Sequence, residues 1–197
     1  RLLVEGGRSV ESIAGKCLIA SPYLEDPNFR RTIVYIVTHD EQGAIGVVLN
    51  RDTGQSFADW LLSQGVQPSK LPHFSDIPVF HGGPVEATRL MTLHDHPEFA
   101  QYLSADGVAF TSLGEHLSAL LLLKEIRCMI FVGYAGWGPG QLEEELQVGG
   151  WMVSCLSCDQ IFSLDDQSWK SLVHRVGDQI LGNVVPPEWL RSHPDWN

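Results

Sequence analysis

The densest concentration of residues with chemical potential is one run, Phe131-Val-Gly-Tyr-Ala-Gly-Trp-Gly-Pro-Gly-Gln-Leu-Glu-Glu-Glu-Leu146. An apolar strand enters a loop carrying Gly133, Gly136, Gly138 and Gly140, and a short acidic helix leaves it. Glycine lets a backbone approach a ligand closely, and amides ahead of a helix N-terminus are an anion site. Phosphate chemistry is nevertheless disfavoured. No Gly-Lys-Ser/Thr follows, and the spacing misses the dinucleotide fingerprint. Glu143, Glu144 and Glu145 fall in the first helical turn, where they satisfy the positive helix end and repel a phosphate. The competing structural account is that Trp137 buries into the core and the glycines let the backbone bend around it.

Other side chains suggest other chemistries. Ser21, Thr38 and Ser154 lack any signature of an activated nucleophile, and no Gly-x-Ser-x-Gly elbow is present. His39 is a candidate general acid or base. Its neighbour Asp40 is poorly placed to orient it, because successive strand residues point to opposite faces. His94-x-His96, with Glu98 close by, has the spacing of half a metal site, and so does Cys155-x-x-Cys158. A zinc site needs two such halves, so neither pair is read as metal-binding. A redox dithiol lacks its usual βαβ context. No metal and no cofactor are expected.

These residues must be positioned by a fold, and hydrophobic periodicity outlines it. Short apolar strands are expected at 16–20, 32–38, 44–49, 77–80, 89–93, 108–111, 128–132, 151–155 and 160–163. His39-Asp-Glu-Gln-Gly43 turns the second strand back onto the third. Helices are expected after Ser56 and Ser112, each with a hydroxyl cap and an acid three residues later. A further helix follows Asp165-Asp166, presents Trp169, Leu172, Val173, Val176 and Ile180 on one face, and stops at Gly182. Residues 69–74 read as loop. Strands and helices mix without strict alternation, which favours an α+β fold with a largely antiparallel or mixed sheet. No linker or repeat divides the 197 residues, so one domain over 1–197 is expected, with an irregular tail from about 183.

Composition narrows the function classes. Hydrophobic residues make up 44% and charged residues 19%, an ordinary globular balance. The formal net charge is −11, with 13 Lys and Arg against 24 Asp and Glu. Duplex binding depends on neutralising phosphates, so a nucleic-acid partner is not expected. The densest basic spot, Arg30-Arg31, reads as two arginines entering a strand. The most apolar run, Ala119-Leu-Leu-Leu-Leu123, is far short of a membrane span. Nothing at the start has a signal-peptide pattern. Four cysteines are too sparse for a disulfide framework, and the cytoplasm is the expected location.

Four blocks together resemble the YqgE/AlgH family of bacterial proteins. They are Leu18-Ile-Ala-Ser-Pro22 with Asp26-Pro27-x-Phe29, then His39 with Gly46-Val-Val-Leu-Asn50, then Gly82-Gly83-Pro84-Val85, and finally Gly133-Tyr-Ala-Gly-Trp-Gly-Pro-Gly-Gln-Leu142 with Glu145 and Trp151. Cys155-x-x-Cys158 and the tail lie outside the pattern. The resemblance implies an α+β fold with a branched sheet curling into a pseudo-barrel and helices packed outside. It implies no established activity. Some members carry the label of transcriptional regulator, and the acidity of this chain argues against direct DNA binding.

The shared residues are mostly turn glycines and polar groups, a composition that points to binding. The candidate ligand-binding residues are therefore His39, Asn50, Gly82, Gly83, Gly136, Trp137, Gly138, Gln141 and Glu145. The resemblance singles out Glu145 as the most constrained of the three glutamates. The expected function is a non-enzymatic binding or regulatory module with a protein or small-molecule partner. The alternative is a small-substrate enzyme using His39 with loop amides stabilising charge.

Overall fold

A computed structural model describes residues 11–67, 76–123, 125–165 and 167–184. Among these the strands are β1 (Cys17–Ala20), β2 (Ile33–Asp40), β3 (Gly43–Val48), β4 (Asp52–Ser56), β5 (Pro78–His81), β6 (Val85–His94), β7 (Tyr102–Leu103), β8 (Ala109–Thr111), β9 (Cys128–Trp137) and β10 (Trp151–Ser154). The helices are α1 (Phe57–Ser63), α2 (Gly114–Leu120), α3 (Gln141–Gln147), α4 (Cys158–Ile161) and α5 (Ser168–Val184).

The strands form one sheet in the order β10-β1-β2-β3-β9-β6-β8-β7, with β5 also on β9 and β4 on β5. Every ladder is antiparallel except β5 against β9. The branch lies in β9. Its residues 130–132 pair with both β5 and β6, while Ala135, Gly136 and Trp137 pair with β3. Gly133, at φ 72°, stands between the two halves. The path ends, β10 and β7, share no ladder among the described residues, so this branched α+β sheet does not close.

Both faces of the central strands β1, β2 and β9 are covered, which explains why they read as continuous apolar runs rather than alternating ones. Cys17, Ile19, Ile33, Tyr35, Val37, Met129 and Phe131 point into the central core and meet Ile161 of α4 with Leu172 and Val176 of α5. The intervening residues Leu18, Ala20, Val34 and Ile36 point the other way, with Ala135, Trp137 and Trp151, onto Leu142 of α3. A third cluster packs Phe57 of α1 and Leu117 of α2 on Val79, Ile130 and Val132.

Several local expectations are corrected. The strand expected at 160–163 is the helix α4 with its following turn. Ser157 caps it, and the Gln160 side chain bonds back to the Ser157 amide, a reciprocal box that outweighs the β-favouring Ile161-Phe162. The strand expected to end at Val132 continues through the glycines to Trp137. Ser56 caps α1 by accepting from the Asp59 amide, but the Ser112 hydroxyl does not cap α2 and bonds the Gln101 side chain instead. Helix α5 passes through Gly182 to Val184. The loop expected at 69–74 and the tail from 185 lie outside the described residues.

Candidate functional site

The glycine run is organised around one carboxylate. Glu145 Oε2 accepts from the indole N–H of Trp137 at 3.0 Å and of Trp151 at 2.7 Å. Its Oε1 accepts from the Gln141 amide at 3.0 Å, and Gln141 Oε1 accepts from the Gly138 backbone N–H at 3.1 Å. Phe29 stacks on Trp137 and meets Trp151 edge-on. Two buried indoles each need an acceptor, and α3 delivers one because Gln141 and Glu145 lie four residues apart on one helical face. Trp137, Gly138, Gln141 and Glu145 are thus brought together, bonded mainly to one another. Gly136 is exposed in β9, and a Cβ there meets only ordinary contacts.

His39 joins the same helix from β2. It is 6% exposed. Its Nδ1 accepts from the Ile13 backbone N–H at 3.1 Å, which places the ring proton on Nε2. Nε2 then donates to Glu143 Oε1 at 2.7 Å. Both ring nitrogens are occupied, so no lone pair faces a substrate. Asp40 turns away and accepts from the Gln42 amide.

Gly82 and Gly83 occupy a crossing of backbones. A Cβ on Gly82 would stand 2.2 Å from the Gly133 carbonyl oxygen, and one on Gly83 would stand 2.2 Å from the Tyr134 carbonyl carbon. These glycines let the β5–β6 connection pass directly over β9. Asn50 also holds backbone. Its Oδ1 accepts from the Ile33 N–H at 2.8 Å and its Nδ2 donates to the Arg31 carbonyl at 3.0 Å. It thereby supports Arg31, a non-glycine residue at φ 59°. The Arg31 guanidinium lies over the Trp169 ring.

Sequence reasoning missed the neighbouring residue. Arg51 Nη2 donates to the Arg30 carbonyl at 2.8 Å and the Pro27 carbonyl at 3.3 Å. No carboxylate among the described residues forms an ion pair with it. Arg51 faces a cleft of about 310 Å³ lined by Pro27, Asn28, Val48, His81, Gly83, Pro84 and Ala87. The His81 amide donates to the Arg51 carbonyl at 2.7 Å, which fixes the two residues side by side. Three sequence blocks meet here: the Asp26-Pro27 turn, the end of β3 with Asn50, and Gly82-Gly83-Pro84. The available signal was an arginine directly after the block ending in Asn50.

The other candidates do not assemble. His94 is fully buried and accepts from the His96 amide, whereas His96 lies at the surface against Glu98 and Asp95. Among the described residues no three His, Cys, Asp or Glu side chains group as metal ligands. Burial pushes the Cys128 thiol up to about 12 and raises Cys17 and Cys158 as well, the last despite the Arg127 guanidinium beside it. Thiols held protonated are poor nucleophiles. All four cysteines are free.

Comparison with known proteins gives a consistent set of likenesses. The AlgH-like family model matches residues 17–181. A UPF0301 protein of Thioalkalivibrio sulfidiphilus is 38% identical over 165 residues, covering 81% of this chain and 87% of its own. One from Caulobacter vibrioides is 35% identical over 175 residues, covering 85% and 88%. The solution structure of AlgH from Pseudomonas aeruginosa superposes with a TM-score of 0.68 at 30% identity, over 87% of this chain and 93% of that one. The crystal structure of DIP2367 from Corynebacterium diphtheriae, at 22% identity, shares the fold with a TM-score of 0.61 over 86% and 90%.

Proposed function

The chain belongs to the AlgH-like family, and from that premise we propose that it is a non-enzymatic binding module whose site is the Arg51 cleft. The observation that carries this reading is convergence. Residues from three of the blocks, far apart in sequence, border a single cleft that holds a cation with no carboxylate partner among the described residues. The glycine run supports this cleft from behind. Val48 lines the cleft and also packs in the same cluster as Trp137 and Leu142. In this reading Glu145, Gln141, Trp137 and Gly138 are scaffold. Gly83 lines the cleft, Asn50 and Gly82 hold the backbone next to it, and His39 fastens β2 to α3.

The lining suits binding better than catalysis. It contains no nucleophile paired with a base, and His39 is committed to Ile13 and Glu143. The net charge of −11 weighs against duplex nucleic acid as the partner. The free cysteines fit a reducing cytoplasm. No helix among the described residues is long and apolar enough to cross a membrane.

The test is a chemical-shift survey of 15N-labelled protein against a metabolite collection. Ligands are expected to perturb amides at Asn28, Arg51, His81, Gly83 and Ala87. Perturbations confined to 136–145, or none at all, overturn the placement.

A further inference from the structure

The geometry points to a carboxylate borne on a small apolar body as the ligand of the Arg51 cleft, an assignment that rests on the binding reading above. A guanidinium has five N–H donors in a planar fork, and a carboxylate fills two of them with parallel bonds. Arg51 spends only Nη2 on the Pro27 and Arg30 carbonyls. Those two bonds tether the head group, so less rotamer entropy is lost when a ligand arrives. The neighbouring Asn50 already clamps residues 31 and 33. The turn before β2 therefore has a second support, which leaves the cation of Arg51 as the feature a purely structural role does not need.

The rest of the lining selects among anions. Pro27, Val48, Pro84 and Ala87 offer apolar wall, and Gly83 adds backbone to it without a side chain. Pockets of about 300 Å³ lie at the small end of ligand sites, which fits a body of a few carbons or one ring. Arg51 is the one permanently charged lining residue among the described residues, with His81 and Asn28 as its polar neighbours. One cation balances a monoanion. A phosphate dianion would leave a charge uncompensated in a molecule that already carries −11. Beyond about 10 Å that background is screened at ordinary salt, so the local pairing decides between ligands.

The experiment titrates the labelled chain with phenylacetate, with phenylacetamide and with inorganic phosphate. Phenylacetate is expected to shift Arg51, His81 and Gly83 amides and to bind at least ten times more tightly than its amide. That preference should shrink as salt is raised. Arg51→Gln should erase it. Arg51→Lys, which keeps the charge but loses the fork, should retain only part of it. Ala87→Phe blocks the cleft from an exposed position without touching Arg51 and should weaken both organic probes. It serves as the control if Arg51→Gln loosens the turn, which an unfolding curve reports. Equal shifts from acid and amide overturn the carboxylate assignment and leave the binding reading standing. Phosphate binding more tightly than phenylacetate overturns it in favour of a dianion site. Silence from every probe at these amides overturns the carboxylate assignment, and silence from the metabolite survey as well overturns the binding reading.

Discussion

At the scale of single residues, Glu145 is the hub of the glycine run. It is a carboxylate set among three aromatic rings, with both oxygens committed and two indole N–H groups depending on one of them. Removing it leaves those donors unsatisfied in an apolar cluster. Each such loss costs about 1–3 kcal/mol, so Glu145→Ala is expected to lower unfolding free energy by about 2–4 kcal/mol. Glu145→Gln keeps an acceptor oxygen for the indoles but turns an N–H₂ toward the donor of Gln141. It should cost about 1 kcal/mol, the value of a typical hydrogen bond. Urea unfolding followed by tryptophan fluorescence measures both. A neutral Glu145→Ala would mean that the glycine run is held by its backbone alone. Little of this arrangement is legible in sequence. The residue types are visible, but which carboxylate meets which indole is decided by α3 folding back beneath β9 and β10. The His39–Glu143 bond spans 104 residues and has no local signature at all.

At the scale of elements, the sheet depends on how closely strands cross. The hairpin of β2 and β3 was readable because β-branched runs flank a polar turn ending in Gly43. The second half of β9 was not, because glycines read as loop when no partner strand is in view. In β9 and its neighbours they mark close backbone approach instead. Gly83 lies over Tyr134 and Ala135, and Gly43 lies against the Trp137 carbonyl. Gly136, in the same signature, has room beside it. The contrast separates structural from dispensable glycines. Gly83→Ala should destabilise by about 3 kcal/mol or more, the upper range for overpacking. Gly136→Ala should be neutral or stabilising by about 0.5 kcal/mol, as a glycine in a strand is weakly destabilising relative to alanine. Thermal unfolding of the two variants side by side tests this, and equal losses would refute the crossing as the reason for Gly83. Strand β4 escaped sequence reading for a different cause. Asp52-Thr-Gly-Gln-Ser56 has no apolar face, and pairing with β5 alone makes it a strand.

At the scale of the whole molecule, the fold sets how stability follows pH. His94 is buried with no hydrogen-bond partner for Nε2 among the described residues, and Nδ1 accepts from the His96 amide. Desolvation is the main cause that lowers its pKa from 6.5 to about 4, with the nearby His96 adding to the effect. Between those values the unfolded chain takes up a proton that the folded chain refuses, so stability rises with pH across this window and is lost as pH falls through it. At 1.36 kcal/mol per unit the loss is on the order of 3 kcal/mol. His96 works in the opposite sense. Its bond to Glu98 raises its pKa, a contribution fully present below 6.5 and lost as pH climbs through the raised value. It sits at the surface, where such pairs are worth little, so the His94 slope dominates. Burial alone would raise the Asp95 carboxyl, but its bonds to Arg127 outweigh that and hold it low, which adds a further loss in stronger acid. The expected curve is therefore flat near neutrality and falls from about pH 6.5 toward pH 4. His94→Asn keeps an acceptor where Nδ1 stands and cannot titrate. Its curve should be lower at pH 7, because side-chain volume is lost, yet flatter below pH 6.5. Guanidinium unfolding at half-unit pH steps compares the two slopes. Parallel curves would assign the acid sensitivity to the surface carboxylates instead, and with it the partial neutralisation of a chain whose isoelectric point lies near 5.0.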